Sequence, residues 1–213
     1  MKELEQLRVE YTSTPLDVLN MSADPVEQFR NWMQEALQME VPEPHAMVLS
    51  TVDTLGQPSS RIVLLRGLEE QGFIFYTNYT SRKAIELSDN PQGALLFFWQ
   101  PVHRQVRIEG SLQQIDPAIS DAYFAQRPRG SQIGAWASPQ SAPIPNREAL
   151  ERNMQQFEER FAGDENVPRP SFWGGYILKP KSVEFWQGRE NRLHDRILYQ
   201  RVDGEWKWER LAP

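Results

Sequence analysis

Residues 46–68 read AMVLSTVDTLGQPSSRIVLLRGL, in which two apolar runs flank a turn. The runs at 46–52 and 60–68 have the β-branched and apolar composition of strands. The segment Leu55-Gly56-Gln57-Pro58 between them has the composition of a turn. Short strands joined by tight turns are typical of antiparallel sheets, so this stretch predicts the first two strands of one.

The same pattern of short apolar runs and turns recurs along the chain. After the turn Glu69-Glu70-Gln71-Gly72, further strands are predicted at 73–77, 94–99, 104–113, 171–178, 182–187, 192–201 and 206–211. This series predicts a mainly β chain with flanking helices (an α+β protein), whose antiparallel sheet closes into a barrel.

Helices are predicted where the apolar spacing lengthens. Asp24 can cap a helix that begins at Pro25, has an apolar stripe as far as Leu37, and is stopped by Pro42-Glu43-Pro44. Ser81 can cap a second helix over 82–87. Two more are predicted at 117–126 and 148–161, and the Ser-, Pro-, Gln- and Ala-rich segment 130–146 is interpreted as an extended loop.

The first twenty residues show weak periodicity and end in the loop-like Ser13-Thr14-Pro15. They are interpreted as a short helix followed by a flexible segment, either an ordinary arm or a flap that closes on a ligand. Residues 21–213 are then expected to form a single domain, since a chain of 213 residues is long enough for one sizeable core.

The composition limits the classes of function. The net charge of −6 argues against a general nucleic-acid or anionic-membrane surface. The chain has no cysteine, which excludes disulfides, thiolate metal sites and a cysteine nucleophile. The polar N-terminus has no apolar signal-peptide core, and no apolar run is long enough to span a bilayer. We therefore expect a cytoplasmic protein.

Positive charge is concentrated near the C-terminus, in the segment 185–196. If residues 188–191 form the loop of a hairpin, Arg192, His194 and Arg196 lie on one face of the return strand. Three such groups repel one another unless an anion lies among them. The alternative is a solvated edge strand whose charges prevent aggregation. The residues of this segment alone leave both interpretations open.

Two further basic clusters are candidate anion sites. Ser81-Arg82-Lys83 places two cations at a helix N-terminus, and Arg61 on an earlier strand could reach the same anion. The segment 127–131, RPRGS, with Tyr123 one helical turn upstream, would also suit a phosphate. A capped surface helix and a basic helix C-terminus are the alternative explanations of these two clusters.

Other catalytic motifs are missing from the sequence. It has no Gly-rich phosphate loop, no nucleophile elbow and no paired-histidine metal motif. The three histidines, His45, His103 and His194, lack metal-ligand spacing, so no metal is expected. Metal-free chemistry carried by an organic cofactor is the favoured class of reaction.

Several segments together resemble the pyridoxine (pyridoxamine) 5′-phosphate oxidase family. The resemblance runs from about Leu7 to the last residue, and its joint pattern is specific although no single motif is. The matching segments are RIVLL (61–65), FYTN (75–78), SRK (81–83), RPR (127–129), SQIGAW (131–136), FWQGRENRLHDR (185–196) and ERLAP (209–213).

This resemblance implies an FMN-binding split β-barrel that forms a homodimer, with two FMN sites built from both subunits. It implies oxidation of pyridoxamine or pyridoxine 5′-phosphate to pyridoxal 5′-phosphate, with O₂ as acceptor and H₂O₂ as product. Hydride transfer between stacked rings depends largely on positioning. The two phosphates, one on each ligand, would explain two basic clusters in an acidic chain.

The resemblance also implies the site residues, position by position. Arg192 and His194 would be catalytic. The substrate would contact Arg8, Tyr11, Arg66, Tyr123, Arg127, Ser131, Arg192, Leu193 and His194. FMN would contact Arg61, Ile62, Val63, Leu64, Leu65, Arg66, Tyr76, Thr77, Arg82, Lys83 and Gln105, and, from the other subunit, Gln140, Ser141, Trp186 and Arg196.

One position departs from the family pattern. Arg66 stands where the family usually has lysine, so a planar fork replaces a point charge at the substrate phosphate. Two other functions remain: a split-barrel flavoprotein with a different substrate, such as a flavin reductase, and a non-catalytic protein that binds FMN or pyridoxal phosphate. The first has no need for the Tyr123, Arg127 and Ser131 cluster.

Overall fold

The structure is a computed structural model that describes residues 7, 10, 11, 13, 15–69 and 71–213. These residues form nine strands: β1 (Ala46–Val52), β2 (Pro58–Leu64), β3 (Gly67–Glu69), β4 (Gly72–Asn78), β5 (Gln92–Trp99), β6 (Arg104–Gln114), β7 (Trp173–Gln187), β8 (Asp195–Val202) and β9 (Glu205–Leu211). The helices are α1 (Pro25–Gln38), α2 (Arg82–Asp89), α3 (Pro117–Ala125), α4 (Arg129–Ala137) and α5 (Arg147–Arg160). The predicted mainly β chain with flanking helices is confirmed.

The strands form one antiparallel sheet in the order β2-β1-β5-β6-β7-β4-β3, and β8 pairs with β7 and β9. β7 is 15 residues long; its first part pairs with β4 and its last part with β8. β2 and β3, at the two ends of this order, are joined by Leu65 and Arg66 alone, and the Arg66 N–H donates to the Ile74 carbonyl at 2.8 Å. The sheet therefore curls back on itself, as a split barrel requires.

Helix α1 supplies much of the apolar core on one face of the sheet. Its N-cap is Asp24, whose carboxylate accepts from the Val26 N–H at 2.7 Å. Phe29 and Trp32 are buried on this helix, and the Phe29 ring lies 4.9 Å from the Phe73 ring. Burying side chains of this size stabilises the fold by about 1.5–3 kcal/mol each. Helix α1 thus covers this face of the sheet.

A second apolar cluster lies beside the barrel, where α3, α4 and α5 meet the start of β7. It contains Phe124, Ile133, Phe161 and Trp173. The prediction of a loop over 130–146 is wrong here, because α4 spans Arg129–Ala137. Burial of Ile133 on this helix outweighs the loop-like average composition of the segment.

Three predicted strand boundaries also differ from the structure. The run 60–68 is broken at Leu65 into β2 and β3, whereas 171–178 and 182–187 belong to the single strand β7. A bulge in the pairing of β6 with β7 lets β7 continue through Pro180, which an edge position or bulge tolerates. β8 begins only at Asp195. In the described part of the chain, no helix is long and apolar enough to cross a membrane.

Candidate functional site

A cavity of about 640 Å³ lies between the barrel and the cluster of α3 and α4. We call it the first cavity, and most of the residues predicted to bind ligands line it. Its walls are Arg61, Ile62, Val63, Leu64, Arg66, Tyr76, Thr77, Lys83, Tyr123, Gln126, Arg127, Pro128, Ser131, Gln140 and Trp173.

A hydrogen-bonded network fixes Arg61 at one end of this cavity. Its guanidinium donates to Thr51 Oγ1 at 2.5 Å and to the Leu49 carbonyl at 3.2 Å. The buried Glu86 carboxylate lies 3.3 Å from it and also accepts from Arg82 Nε at 2.8 Å. Burial alone would raise the pKa of Glu86, but hydrogen bonds from Thr51 and other donors, together with the Arg61 charge, lower it to about 2. Glu86 therefore remains an anion beneath Arg61.

Lys83 is a buried cation at the same end. Its Nζ donates to Gln140 Oε1 at 3.1 Å and to Thr77 Oγ1 at 3.2 Å. Burial lowers the pKa of Lys83 to about 8, and the nearby Arg61 charge acts in the same direction. Among the described residues no carboxylate lies within 4.0 Å of this ammonium group. An anion bound here would raise the pKa of Lys83 back towards its usual value.

A second group in the lining of the first cavity consists of Arg66, Tyr123, Arg127 and Ser131, and we call this group the Arg127 end. The Arg127 guanidinium lies 4.6 Å from the centre of the Trp173 ring, and its buried Nη1 has no hydrogen-bond partner in the described structure. Burial lowers the pKa of Arg127, and the charge of Arg66 adds to this effect. A buried donor without an acceptor is costly, so this end is suited to an anionic ligand.

The described lining of the first cavity thus contains four cations, Arg61, Lys83, Arg66 and Arg127, and no Asp or Glu. Its Tyr76 ring stacks on Tyr123, with ring centres 3.9 Å apart. Such a wall suits a ligand that has a flat ring and negative charge.

A second cavity, of about 460 Å³, contains the predicted catalytic pair. Its described lining is Leu7, Glu10, Tyr11, Trp186, Arg189, Asn191, Arg192 and His194. The ring centre of His194 lies 4.7 Å from that of Trp186. The two cavities share no lining residue.

The loop between β7 and β8 shapes the second cavity. Asn191 and Arg192 adopt left-handed backbone conformations, with φ of 55° and 61°. Asparagine adopts this conformation readily, but at Arg192 it is strained, and strained residues of this kind are often found at functional sites. The prediction that Arg192, His194 and Arg196 share one strand face is wrong, because Arg192 and His194 precede β8 and only Arg196 lies in it.

His194 is held in one orientation by the backbone. Its Nδ1 accepts a hydrogen bond from the Arg189 N–H at 3.1 Å, so the neutral ring carries its proton on Nε2. Burial lowers the pKa of His194, and the Arg192 charge lowers it further. At neutral pH the ring is therefore uncharged and can donate one hydrogen bond from Nε2.

Three more predicted ligand residues lie side by side across the sheet. Gln105 on β6 pairs with Trp186 on β7, which pairs with Arg196 on β8. The resemblance grouped Gln105 with Arg61, whereas the structure places it beside Trp186. The Arg196 guanidinium makes two bonds to the Glu184 carboxylate, at 2.8 and 3.1 Å. Its charge is thus already paired within the chain.

The other predicted residues are placed differently. Gln140 was expected from the other subunit, yet it lies in the first cavity of its own chain. Arg82 pairs with Glu86 and does not line that cavity, and the Ser81 hydroxyl donates to the Asn78 carbonyl instead of capping α2. Arg8 lies outside the described residues. Leu65 packs against the core, while Ser141 and Leu193 are exposed.

The sequence did not identify some residues that line or support the first cavity. Glu86 was not singled out in the sequence, and only its burial reveals its role beneath Arg61. Trp173 and Gln126 also line the first cavity. Arg129, grouped with Arg127 in the sequence, instead donates to the Phe161 carbonyl at 2.5 Å and to the Asp164 carbonyl at 3.0 Å. It therefore holds the chain beyond α5.

Comparisons with known proteins agree with this geometry. Residues 33–161 match the family model described as pyridoxamine 5′-phosphate oxidase, and residues 173–213 match the pyridoxine 5′-phosphate oxidase C-terminal dimerisation region. A pyridoxine/pyridoxamine 5′-phosphate oxidase of Salinibacter ruber is 52% identical over the whole of both chains. Another, from Rubrobacter xylanophilus, is 53% identical and covers all of this chain and 97% of the relative.

A solved structure shares the fold. PhzG from Burkholderia lata 383, crystallised with tetrahydrophenazine-1-carboxylic acid, superposes with a TM-score of 0.88 at 29% identity. The match covers 95% of this chain and 100% of PhzG. The predicted split-barrel fold and family resemblance are confirmed: this chain belongs to the pyridoxamine 5′-phosphate oxidase family.

Proposed function

We propose that this chain is an FMN-dependent oxidase that converts pyridoxamine 5′-phosphate and pyridoxine 5′-phosphate to pyridoxal 5′-phosphate, with O₂ as electron acceptor and H₂O₂ as product. One observation carries the proposal: the first cavity has a cationic cluster at each end and no carboxylate in its described lining. Two phosphorylated ligands, cofactor and substrate, account for two such clusters.

The residues at the Arg61 end fit the phosphate of FMN. Lys83 is buried, has lost hydration and has only neutral hydrogen-bond partners in the described structure, so a phosphate would satisfy it. Arg61 is already oriented by its contacts with Thr51 and Leu49. FMN, when bound, supplies the acceptor for the hydride that leaves the substrate.

The Arg127 end would hold the substrate phosphate. The unpartnered Nη1 of Arg127 can donate to a phosphate oxygen, and Arg66, Tyr123 and Ser131 add further donors around the same space. Holding the phosphate here fixes the substrate ring relative to the cofactor. Such positioning contributes much of the catalysis in hydride transfer.

The second cavity would supply the groups that face the reacting end of the substrate. His194 is neutral and can donate from Nε2 to the substrate, while the Arg192 cation can clamp its ring. Oxidation removes two electrons and two protons from the substrate C4′ group. With pyridoxamine 5′-phosphate this oxidation would give an imine, which water hydrolyses to the aldehyde and ammonia, and with pyridoxine 5′-phosphate it would give the aldehyde directly. The two electrons, with two protons, reduce O₂ to H₂O₂.

The substrate residues are divided between two cavities that share no wall, which supports a homodimer. One protomer would supply Arg66 and Arg127, and its partner would supply Arg192 and His194. The match of residues 173–213 to a dimerisation region supports the same arrangement, since it includes β7 to β9. A flexible arm over residues 1–20, a single domain over 21–213 and the cytoplasmic location stay predictions.

The test is an aerobic assay of the purified protein with pyridoxamine 5′-phosphate, following pyridoxal 5′-phosphate absorbance and H₂O₂. Yellow protein that forms both products is the expected result. Arg127→Met should raise the Michaelis constant by at least about tenfold, because it removes a charged phosphate contact. A protein that binds no added FMN would overturn the proposal.

Two other outcomes would assign a different function. FMN binding without turnover of either phosphate, together with NADH-dependent flavin reduction, would indicate a flavin reductase. FMN binding without either reaction would indicate a binding protein. Since PhzG was crystallised with a tricyclic carboxylic acid, turnover of such a compound in place of the phosphates would indicate another substrate class.

A further inference from the structure

Tyr11 occupies a slot beside the second cavity that is built by residues far away in the sequence. Its ring centre lies 4.4 Å from that of His103 and 5.8 Å from those of Trp186 and His194. The floor of the slot is Gly188: a Cβ added there would lie 2.8 Å from the Tyr11 ring. Only glycine at position 188 admits the tyrosine ring without displacement.

His103 is fixed more firmly than its place in a short turn would suggest. It ends a 3-10 turn in the left-handed conformation, with φ of 51°. Its carbonyl accepts from the Gly188 N–H at 2.8 Å and from Gln187 Nε2 at 3.1 Å. Its ring Nδ1 lies 3.3 Å from the Ser13 hydroxyl. The histidine therefore joins the end of β7 to the segment that carries Tyr11.

We propose that His103 is a positioning residue that seats Tyr11 as a wall of the second cavity. No role in the reaction was assigned to this histidine by the sequence. Its ring lies against Tyr11 but does not line the cavity, whereas Trp186 and His194, which also lie beside Tyr11, do. Loss of the His103 ring should leave Tyr11 free to move off these two residues.

The consequence for substrate binding rests on the proposed function. If the substrate ring lies against His194 and Arg192, Tyr11 restricts the space above it. Release of Tyr11 should then weaken substrate binding more than FMN binding, because Arg61 and Lys83, which would hold the FMN phosphate, belong to the first cavity.

The informative substitution is His103→Asn. Asparagine also adopts the left-handed conformation readily, so the turn is kept and only the ring is lost. In the FMN-loaded enzyme, His103→Asn and Tyr11→Ala should each raise the Michaelis constant for pyridoxamine 5′-phosphate by about threefold to tenfold, with little change in turnover. The double variant should be no worse than the poorer single one, because both remove the same contact.

A second measurement needs no turnover. Trypsin can cleave after Arg8, three residues before Tyr11. The rate of that cleavage, followed by mass spectrometry, should rise several-fold in His103→Asn and Gly188→Ala. His45→Asn, the same change at another half-buried histidine, is the matched control and should match the unsubstituted protein.

The results separate the two proposals. Additive effects in the double variant, or unchanged cleavage and Michaelis constant in His103→Asn, would overturn the role of His103. A protein that turns over neither phosphate would overturn the proposed function, and the cleavage rates would still show whether His103 seats Tyr11.

Discussion

The backbone N–H of Arg189 donates a hydrogen bond to Nδ1 of His194 across 3.1 Å. This bond needs an unprotonated Nδ1, and burial together with the Arg192 charge lowers the pKa of His194 below its usual 6.5. The ring that accepts this bond is thus neutral. Protonation at low pH would break the bond from Arg189 and add a third cationic group to a loop that already carries Arg189 and Arg192.

We therefore expect kcat/KM to fall as the pH drops below the pKa of His194. The substrate phosphate also titrates near about pH 6, so the measurement needs a reference. His194→Asn should lower kcat by about 100-fold. In this variant the fall of kcat/KM at low pH (the acidic limb of the pH profile) should also lack the part that protonation of the imidazole causes. An identical acidic limb in the two proteins would contradict a titrating role for His194.

The lowered pKa of Lys83 predicts that cofactor binding also depends on pH. Its pKa in the empty protein is about 8, lowered by burial and by Arg61, whereas a bound phosphate would raise it. Below that pH the lysine is already charged. Above it, binding must take up one proton, so FMN affinity should fall by up to about tenfold for each pH unit.

Fluorescence titration of the apoprotein with FMN between about pH 7 and 9.5 measures this effect, since the lysine and not the phosphate titrates there. Lys83→Arg is the control, because arginine stays charged over the whole range. Its FMN affinity should be independent of pH even if it is weaker overall. A decline of equal slope in both proteins would remove Lys83 as its cause.

The stability of the fold should be sensitive to substitutions at the bulge in the pairing of β6 with β7. A Cβ added to Gly110 would lie 2.1 Å from the Lys179 carbonyl oxygen, so Gly110→Ala must shift the backbone. We expect a loss of about 3 kcal/mol in the free energy of unfolding and a melting temperature lower by about 6–12 °C. Gly163→Ala, where nothing lies within 4 Å of the added Cβ, should be nearly neutral. Equal melting temperatures for the two variants would contradict the packing at the bulge.

The sequence was sufficient for the elements whose signals are local. The strand Ala46–Val52 and the start of α1 at Pro25 agree with prediction because alternation, turn composition and capping act over a few residues. Helix α4 was missed because its stability comes from burial of residues such as Ile133 against α5 and β7. The continuity of β7 past Pro180 was missed for a related reason: a bulge in its pairing with β6, far away in the sequence, permits it.

The candidate site likewise has residues that the sequence identified and contacts that it could not predict. Lys83 and Arg127 were identifiable as basic residues near predicted helix ends and Arg61 as a basic residue on a predicted strand. Family resemblance added most of the remaining residues. What the sequence could not provide was the partner of each charge. Glu86 beneath Arg61 and Glu184 on Arg196 are both buried carboxylates in contact with predicted ligand residues. Those pairings depend on tertiary contacts between separate elements.

Arg66 allows a direct test of the departure from the family pattern. It lines the first cavity near Arg127, and its backbone is fixed by the bond from its N–H to the Ile74 carbonyl. Arg66→Lys keeps the charge but loses the planar fork, so the Michaelis constant should change by about threefold to tenfold and turnover by less. Arg147→Lys, on the exposed face of α5, is the matched control. A large loss of turnover with unchanged substrate affinity would rule out the assignment of Arg66 to the substrate phosphate.

Substitution of Trp186 tests whether the cofactor site is shared between two protomers. It lies between Gln105 and Arg196 in the sheet and lines the second cavity, away from the Arg61 and Lys83 end of the first. If FMN bridges the subunits, Trp186→Ala should weaken FMN binding by about tenfold or more and shift the dimer towards monomer. Trp186→Phe, which keeps an aromatic face, should restore most of the affinity. Fluorescence titration and sedimentation of the apo and FMN-loaded proteins measure both effects. Unchanged FMN affinity in Trp186→Ala would contradict the placement of Trp186 against the flavin.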